Sequence, residues 1–170
     1  MNKQEKILIV DDVKANVDLL EALLAKSDFI VLKAYGGKEA LELAKKERPN
    51  LILLDIMMPN FNGFQVCEAL RQDPFFTSVS IIMVTAKDTD DDIIQALEKG
   101  ADDYIIKPVK TGELLKKVNS LLVKAKKGEL PSQYYLERKK MQKESKITTL
   151  TDYARLCNLD ESSDDSTGRK

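Results

Sequence analysis

Apolar and polar positions follow two periods along this chain. Five short aliphatic runs have the length of strands: residues 6–10 (KILIV), 29–34 (FIVLKA), 51–54 (LILL), 80–84 (SIIMV) and 104–106 (YII). Between them, apolar residues recur every three or four positions: Val17, Leu20, Leu23 and Leu24; then Ala40, Leu41, Leu43 and Ala44; then Ile93, Ile94 and Leu97; then Leu114, Leu115, Val118, Leu121 and Leu122. That spacing gives a helix one buried face. A shorter helix is expected at 64–71. Pro49 stops the second helix, and Gly100 is placed as the C′ residue of the helix at 88–99. A βα unit repeated five times predicts an α/β fold: a doubly wound, five-stranded parallel sheet with helices on both faces. Right-handed crossovers then bring all five strand carboxyl ends to one edge.

The run at 51–54 has no polar interruption, so it reads as a strand buried on both faces. It ends in Asp55, and Pro59 forbids its continuation. That is where open α/β sheets place their ligands. Alone, Asp55 would be read as a loop cap. The other strand ends change this: Asp11 and Asp12 follow the first strand, Thr85 ends the fourth and Lys107 follows the fifth. Three carboxylates in one crevice repel, and a hard divalent cation, Mg2+ above all, relieves them. Lys107 adds fixed positive charge and Thr85 a hydrogen bond, which together suit a phosphoryl group, with a carboxylate as its nucleophile. The plainer alternatives are a Thr85 turn or N-cap, a solvated Asp11-Asp12 turn, and Tyr104 as a half-buried strand aromatic. Gly36-Gly37 lacks the GxGxxG spacing of a phosphate loop and reads as a permissive helix start.

Composition narrows the classes. The chain has 170 residues, 43% hydrophobic and 32% charged, with net charge −1. No basic field argues for nucleic acid, and no apolar run reaches the roughly 20 residues of a membrane span. The first residues lack a signal peptide's apolar region, so a cytoplasmic location is expected. There is no histidine, which removes His-based triads and any role as a phosphohistidine donor. Cys67 and Cys157 form neither a disulfide framework nor a zinc spacing, and Cys67 reads as a core residue.

The motifs Ile9-Val10-Asp11-Asp12, Leu54-Asp55-Ile56-Met57-Met58-Pro59, Val84-Thr85-Ala86 and Ile106-Lys107-Pro108, with Gly63 and Gly100-Ala101-Asp102-Asp103-Tyr104, occur here in order. Together they resemble the receiver domain of two-component response regulators, a CheY-like, flavodoxin-like fold, over about residues 3–126. The resemblance implies that Asp55 accepts a phosphoryl group from a histidine kinase or phosphotransfer protein. It implies Mg2+ bound by Asp12 and Asp55, by Asp11 largely through water, and by the Met57 carbonyl. Lys107 would pair with Asp55 and then with the phosphoryl group, across a cis Lys107–Pro108 bond. Thr85 and Tyr104 would be the switch pair. The face built from the helix at 88–99, the strand at 104–106 and the helix at 111–124 would mediate dimerisation or partner docking. Asp90, Asp91, Asp102, Lys110, Lys116 and Lys117 would offer charge pairs there. Met57 and Lys87 would tune phosphoryl lifetime.

Residues 1–127 are thus expected to form the receiver and 128–170 an extension. Gly128 and Pro131 break the last helix; helices are expected at 132–146 and 148–158, and disorder at 160–170. Acidic and basic residues balance from Gly128 onward, and no recognition helix is evident, so the extension reads as a regulatory or partner-binding tail. A signalling phosphoacceptor, not a turnover enzyme, is the leading class. The alternatives are the receiver part of a DNA-binding regulator and a phosphohydrolase, but Asp55-Ile56-Met57 lacks the second acid of a DxD motif.

Overall fold

A computed structural model describes residues 3–129. The elements are β1 (Lys6–Val10), α1 (Lys14–Leu24), β2 (Ile30–Ala34), α2 (Gly37–Glu47), β3 (Leu51–Leu54), α3 (Gly63–Gln72), a 3-10 turn (Pro74–Phe76), β4 (Ser80–Thr85), α4 (Asp90–Glu98), β5 (Asp103–Ile106) and α5 (Thr111–Lys126). The sheet order is β2-β1-β3-β4-β5, and every pairing is parallel. The predicted doubly wound, flavodoxin-like fold is therefore present. The expected helices at 132–146 and 148–158 and the 160–170 stretch lie outside the described residues.

Alternation along the strands divides the core in two. Ile7, Ile9, Leu51, Leu53, Ile82, Val84 and Ile105 face α1 and α5, meeting Val17, Leu20, Leu114 and Val118. Leu8, Val10, Ile52, Leu54, Ile81 and Met83 face the opposite layer, meeting Ala44, Val66, Cys67, Leu70 and Ala96. The central strands β3 and β4 are buried at every position, whereas the edge strands β2 and β5 are not. Continuous aliphatic runs thus mark the middle of the sheet and interrupted ones its rims.

Helix ends follow local chemistry. Asn62 caps α3 with a full capping box: Asn62 Oδ1 accepts the Gln65 N–H, and Gln65 Oε1 accepts the Asn62 N–H. α4 starts two residues later than its apolar period predicts, because Thr89 Oγ1 caps the Asp92 N–H. Gly100 ends α4 with φ 105°, its N–H bonded to Leu97 and that of Ala101 to Ala96, a Schellman closure. Gly37 is not simply permissive. A Cβ there would lie 2.5 Å from the Phe61 carbonyl oxygen, so glycine lets α2 pack against the loop after β3.

Candidate functional site

Four of the five strands, β1, β3, β4 and β5, deliver a part of the site at their carboxyl ends. β1 leads into Asp11, which is 1% exposed, and the adjoining Asp12, which is exposed. β3 leads into Asp55, 5% exposed, whose N–H is fixed by the Val10 carbonyl. Carboxylate oxygens of Asp11, Asp12 and Asp55 all lie within 4.8 Å of one another. The backbone closes tightly beneath them: a Cβ on Gly63 would fall 2.2 Å from the Asp55 carbonyl oxygen. Gly63 thus sets how closely α3 approaches the acid.

Lys107 reaches this cluster from the far side of the sheet. Its ammonium lies 2.9 Å from Asp11 Oδ2 and 3.6 Å from Asp55 Oδ1. The Lys107 N–H is held by the Thr85 carbonyl, and the Lys107–Pro108 bond is cis. Asp11 is engaged by three protein donors: Oδ1 accepts the Val13 N–H, and Oδ2 accepts from Asn16 Nδ2 and Lys107 Nζ. Asp12 keeps its carboxylate toward solvent. Asn16 escaped the sequence reading; its one signal is a polar residue in the first turn of α1, five positions after Asp11.

The electrostatics are unbalanced. Burial pushes the Asp55 carboxyl up from 3.8 to about 6, and the Asp11 and Asp12 charges push the same way. Lys107 and a hydrogen bond from the Met57 backbone oppose this. Among these groups three carboxylates face one ammonium. The donor set is all oxygen, two acids are buried and one is open, which fits a hard divalent ion that retains water.

Thr85, 3% exposed, ends β4 beside Ile106, and its Oγ1 accepts the Lys87 N–H at 3.1 Å. The Lys87 ammonium in turn pairs with Asp92 of α4 at 3.0 Å. Tyr104 is half-buried on β5, packed against the core, with the Lys117 ammonium 5.3 Å from its ring centroid. Burial also raises the Tyr104 phenol pKa. Met57 is 60% exposed, at the rim above Asp55.

This arrangement has known counterparts. The chain matches the response regulator receiver domain family over residues 7–119. It belongs to that family. Over 116 residues the receiver is 44% identical to the response regulator PleD of Caulobacter vibrioides, covering 68% of this chain and 26% of PleD. Over 122 residues it is 44% identical to the alkaline phosphatase synthesis transcriptional regulatory protein PhoP of Bacillus subtilis, covering 72% of this chain and 49% of PhoP. The chain therefore spans about half, or less, of these curated relatives. Among solved structures, a CheY-like receiver domain protein from Methanospirillum hungatei superposes with TM-score 0.68 at 33% identity, covering 74% of this chain and 99% of the other. The Vibrio cholerae chemotaxis protein CheY4 gives TM-score 0.67 at 28% identity, with 70% and 99% coverage. No helix among the described residues is long and apolar enough to cross a membrane.

One expected surface group is elsewhere. Asp102 is not on the α4–β5–α5 face but buried, with its Oδ2 2.7 Å from Arg71 Nη2 and accepting the Ile81 N–H at 2.8 Å. Arg71 also donates to the carbonyls of Gly100, Phe76 and Val79. An arginine at the end of an amphipathic helix gives no sign in the sequence that it turns inward.

Proposed function

We propose that this receiver, residues 1–127 of the chain, takes a phosphoryl group on Asp55 from a phosphohistidine of a kinase or phosphotransfer protein. None of the 170 residues given can be that phosphohistidine, since the sequence contains no histidine. The observation that carries the reading is the buried Asp55 carboxylate, 3.6 Å from Lys107 Nζ and clustered with Asp11 and Asp12. An Asp55 oxygen attacks phosphorus as the P–N bond breaks, and the bond's electron pair leaves on the imidazole nitrogen, which takes up a proton. Lys107 moves from its place between Asp11 and Asp55 to a phosphoryl oxygen, and Thr85 Oγ1 donates to another.

Asp12 and Asp55 would hold Mg2+ directly, the Met57 carbonyl would complete the protein ligands, and Asp11 would act through water. The three protein donors already on Asp11, two of them on Oδ2, support that division. When bound, the ion would supply positive charge next to the phosphoryl oxygens. Lys107, Thr85 and the fixed Asp55 backbone supply the orientation.

Phosphorylation then favours one arrangement of the face formed by α4, β5 and α5, with Thr85 and Tyr104 as the switch pair, and so controls a protein partner or dimerisation. Thr85 gives up the Lys87 N–H to reach the phosphoryl group, and Tyr104 swings inward. The receiver acts in the cytoplasm as a signalling phosphoacceptor, and 128–170 forms an extension beyond it. A second reading, the receiver part of a DNA-binding transcription regulator, is favoured by the PhoP likeness. Absence of DNA binding by the phosphorylated chain would count against it. The primary reading is tested by incubation with Mg2+ and acetyl phosphate: one phosphoryl mass is gained by wild type and none by Asp55→Asn. Equal labelling of both overturns it.

A further inference from the structure

At the opposite edge of the sheet from Asp55 lies a groove of about 400 Å³. Its floor is apolar, formed by the buried Val79 and Leu122, and its wall is Phe75, 53% exposed. Phe75 is held as a platform: the Arg48 guanidinium lies 3.8 Å from its ring centroid, and Phe76 packs against it edge-on. The far wall is the last turns of α5, with Ala125 and Lys126, the latter paired to Glu5 at 2.8 Å. A large aromatic ring fixed in a half-open apolar groove invites an occupant.

We propose that the occupant is the chain's own continuation, residues 130–136 (LPSQYYL). Three observations converge on it. α5 builds one wall of the groove and ends there in a Schellman closure: Gly128 has φ 79°, its N–H reaches Ala125, and that of Glu129 reaches Lys124. The chain then runs on from Glu129 to Lys170, beginning with Leu130, Tyr134, Tyr135 and Leu136. These side chains match the groove: two rings to stack beside Phe75 and Arg48, aliphatic groups for the Val79–Leu122 floor, and phenol hydroxyls for the Asn50, Glu5 and Lys126 rim. Seven residues span at most about 25 Å, ample for a site that begins at the helix from which they emerge. A segment joined directly to the wall meets the groove at an effective concentration of order mM, which favours it over a second copy at micromolar protein. The proposal is independent of the phosphoryl reading.

Hydrogen exchange on the full chain tests it. The triple variant Tyr134→Ser/Tyr135→Ser/Leu136→Ser should speed exchange at 75–79 and 121–127 by about threefold or more while leaving α1 unchanged. Reciprocally, Phe75→Ser, at a position open enough to tolerate it, should speed exchange at 132–136 by a similar factor. If either variant leaves the opposite segment's exchange unchanged, the proposal is overturned. Protection of 75–79 that disappears on tenfold dilution of wild type would assign the groove to a second copy and overturn it equally.

Discussion

The sheet carries a buried charge cluster at each edge, and the two are built on opposite terms. At the amino edge one arginine meets one aspartate: Arg71 and Asp102 side chains are 0% and 4% exposed, and every Arg71 nitrogen has a partner, either Asp102 or a backbone carbonyl. At the carboxyl edge, among the described residues, three carboxylates face the one ammonium of Lys107, and the buried Asp55 is pushed up to about 6. The first cluster is neutral and closed, and ties the loop before β5 to α3 and to the start of β4. The second is short of positive charge and open through Asp12. A balanced buried pair specifies the fold; an unbalanced one leaves room for a ligand.

Breaking the closed cluster should have the largest effect. Arg71→Met leaves Asp102 buried without its cation and should cost about 3–5 kcal/mol of stability, measured by urea denaturation. A cost below about 1 kcal/mol would show that Arg71 is not the clamp described. Lys107→Met should slow phosphorylation by acetyl phosphate by about a hundredfold, because one fixed positive charge at the transferred group is lost. Folding should survive it, which sharpens the contrast with Arg71.

Asp55→Asn should act in the opposite direction on stability. The folded-state pKa is raised, so the Asp55 contribution is fully present below the ordinary 3.8 and is lost as pH rises through about 6. Without Mg2+, the variant should match wild type below pH 3.8 and exceed it by about 2 kcal/mol at pH 7. Added Mg2+ should narrow that gap in wild type's favour. A gap that does not vary with pH would remove the claim that Asp55 is held against its charge. The smallest effect is expected from Lys87→Ala and Met57→Ala, which should change dephosphorylation by about threefold; Lys87 is engaged with Asp92 and Met57 lies at the rim. Unchanged rates in both would end the tuning assignment.

The open cluster was legible in the sequence because strand ends are. Four aliphatic positions from Leu51 to Leu54 fix β3 by period alone, and parallel topology then gathers Asp11, Asp12, Asp55, Thr85 and Lys107. The closed cluster was not legible. Arg71 and Asp102 stand 31 positions apart, and each looks like a solvated helix-end or loop charge until the chain is folded. Gly37 does open α2 as the sequence suggested, but its second role stayed hidden for a related reason, since a close approach to Phe61 depends on a neighbour 24 residues away. Asn16 likewise becomes informative only once Asp11 is seen buried beneath it. Period and edge chemistry are local; the partners of buried charges and the contacts of glycines are not.

Borohydride trapping asks whether the Asp55 carboxylate is the group that becomes phosphorylated. A chain phosphorylated through a phosphohistidine donor, reduced and mapped by peptide mass, should carry its change at Asp55 alone, because only an acyl phosphate is reduced there to an alcohol. A modification that maps to Asp11, Asp12 or any hydroxyl, with Asp55 unchanged, would place the phosphoryl group elsewhere and rule out Asp55 as its acceptor.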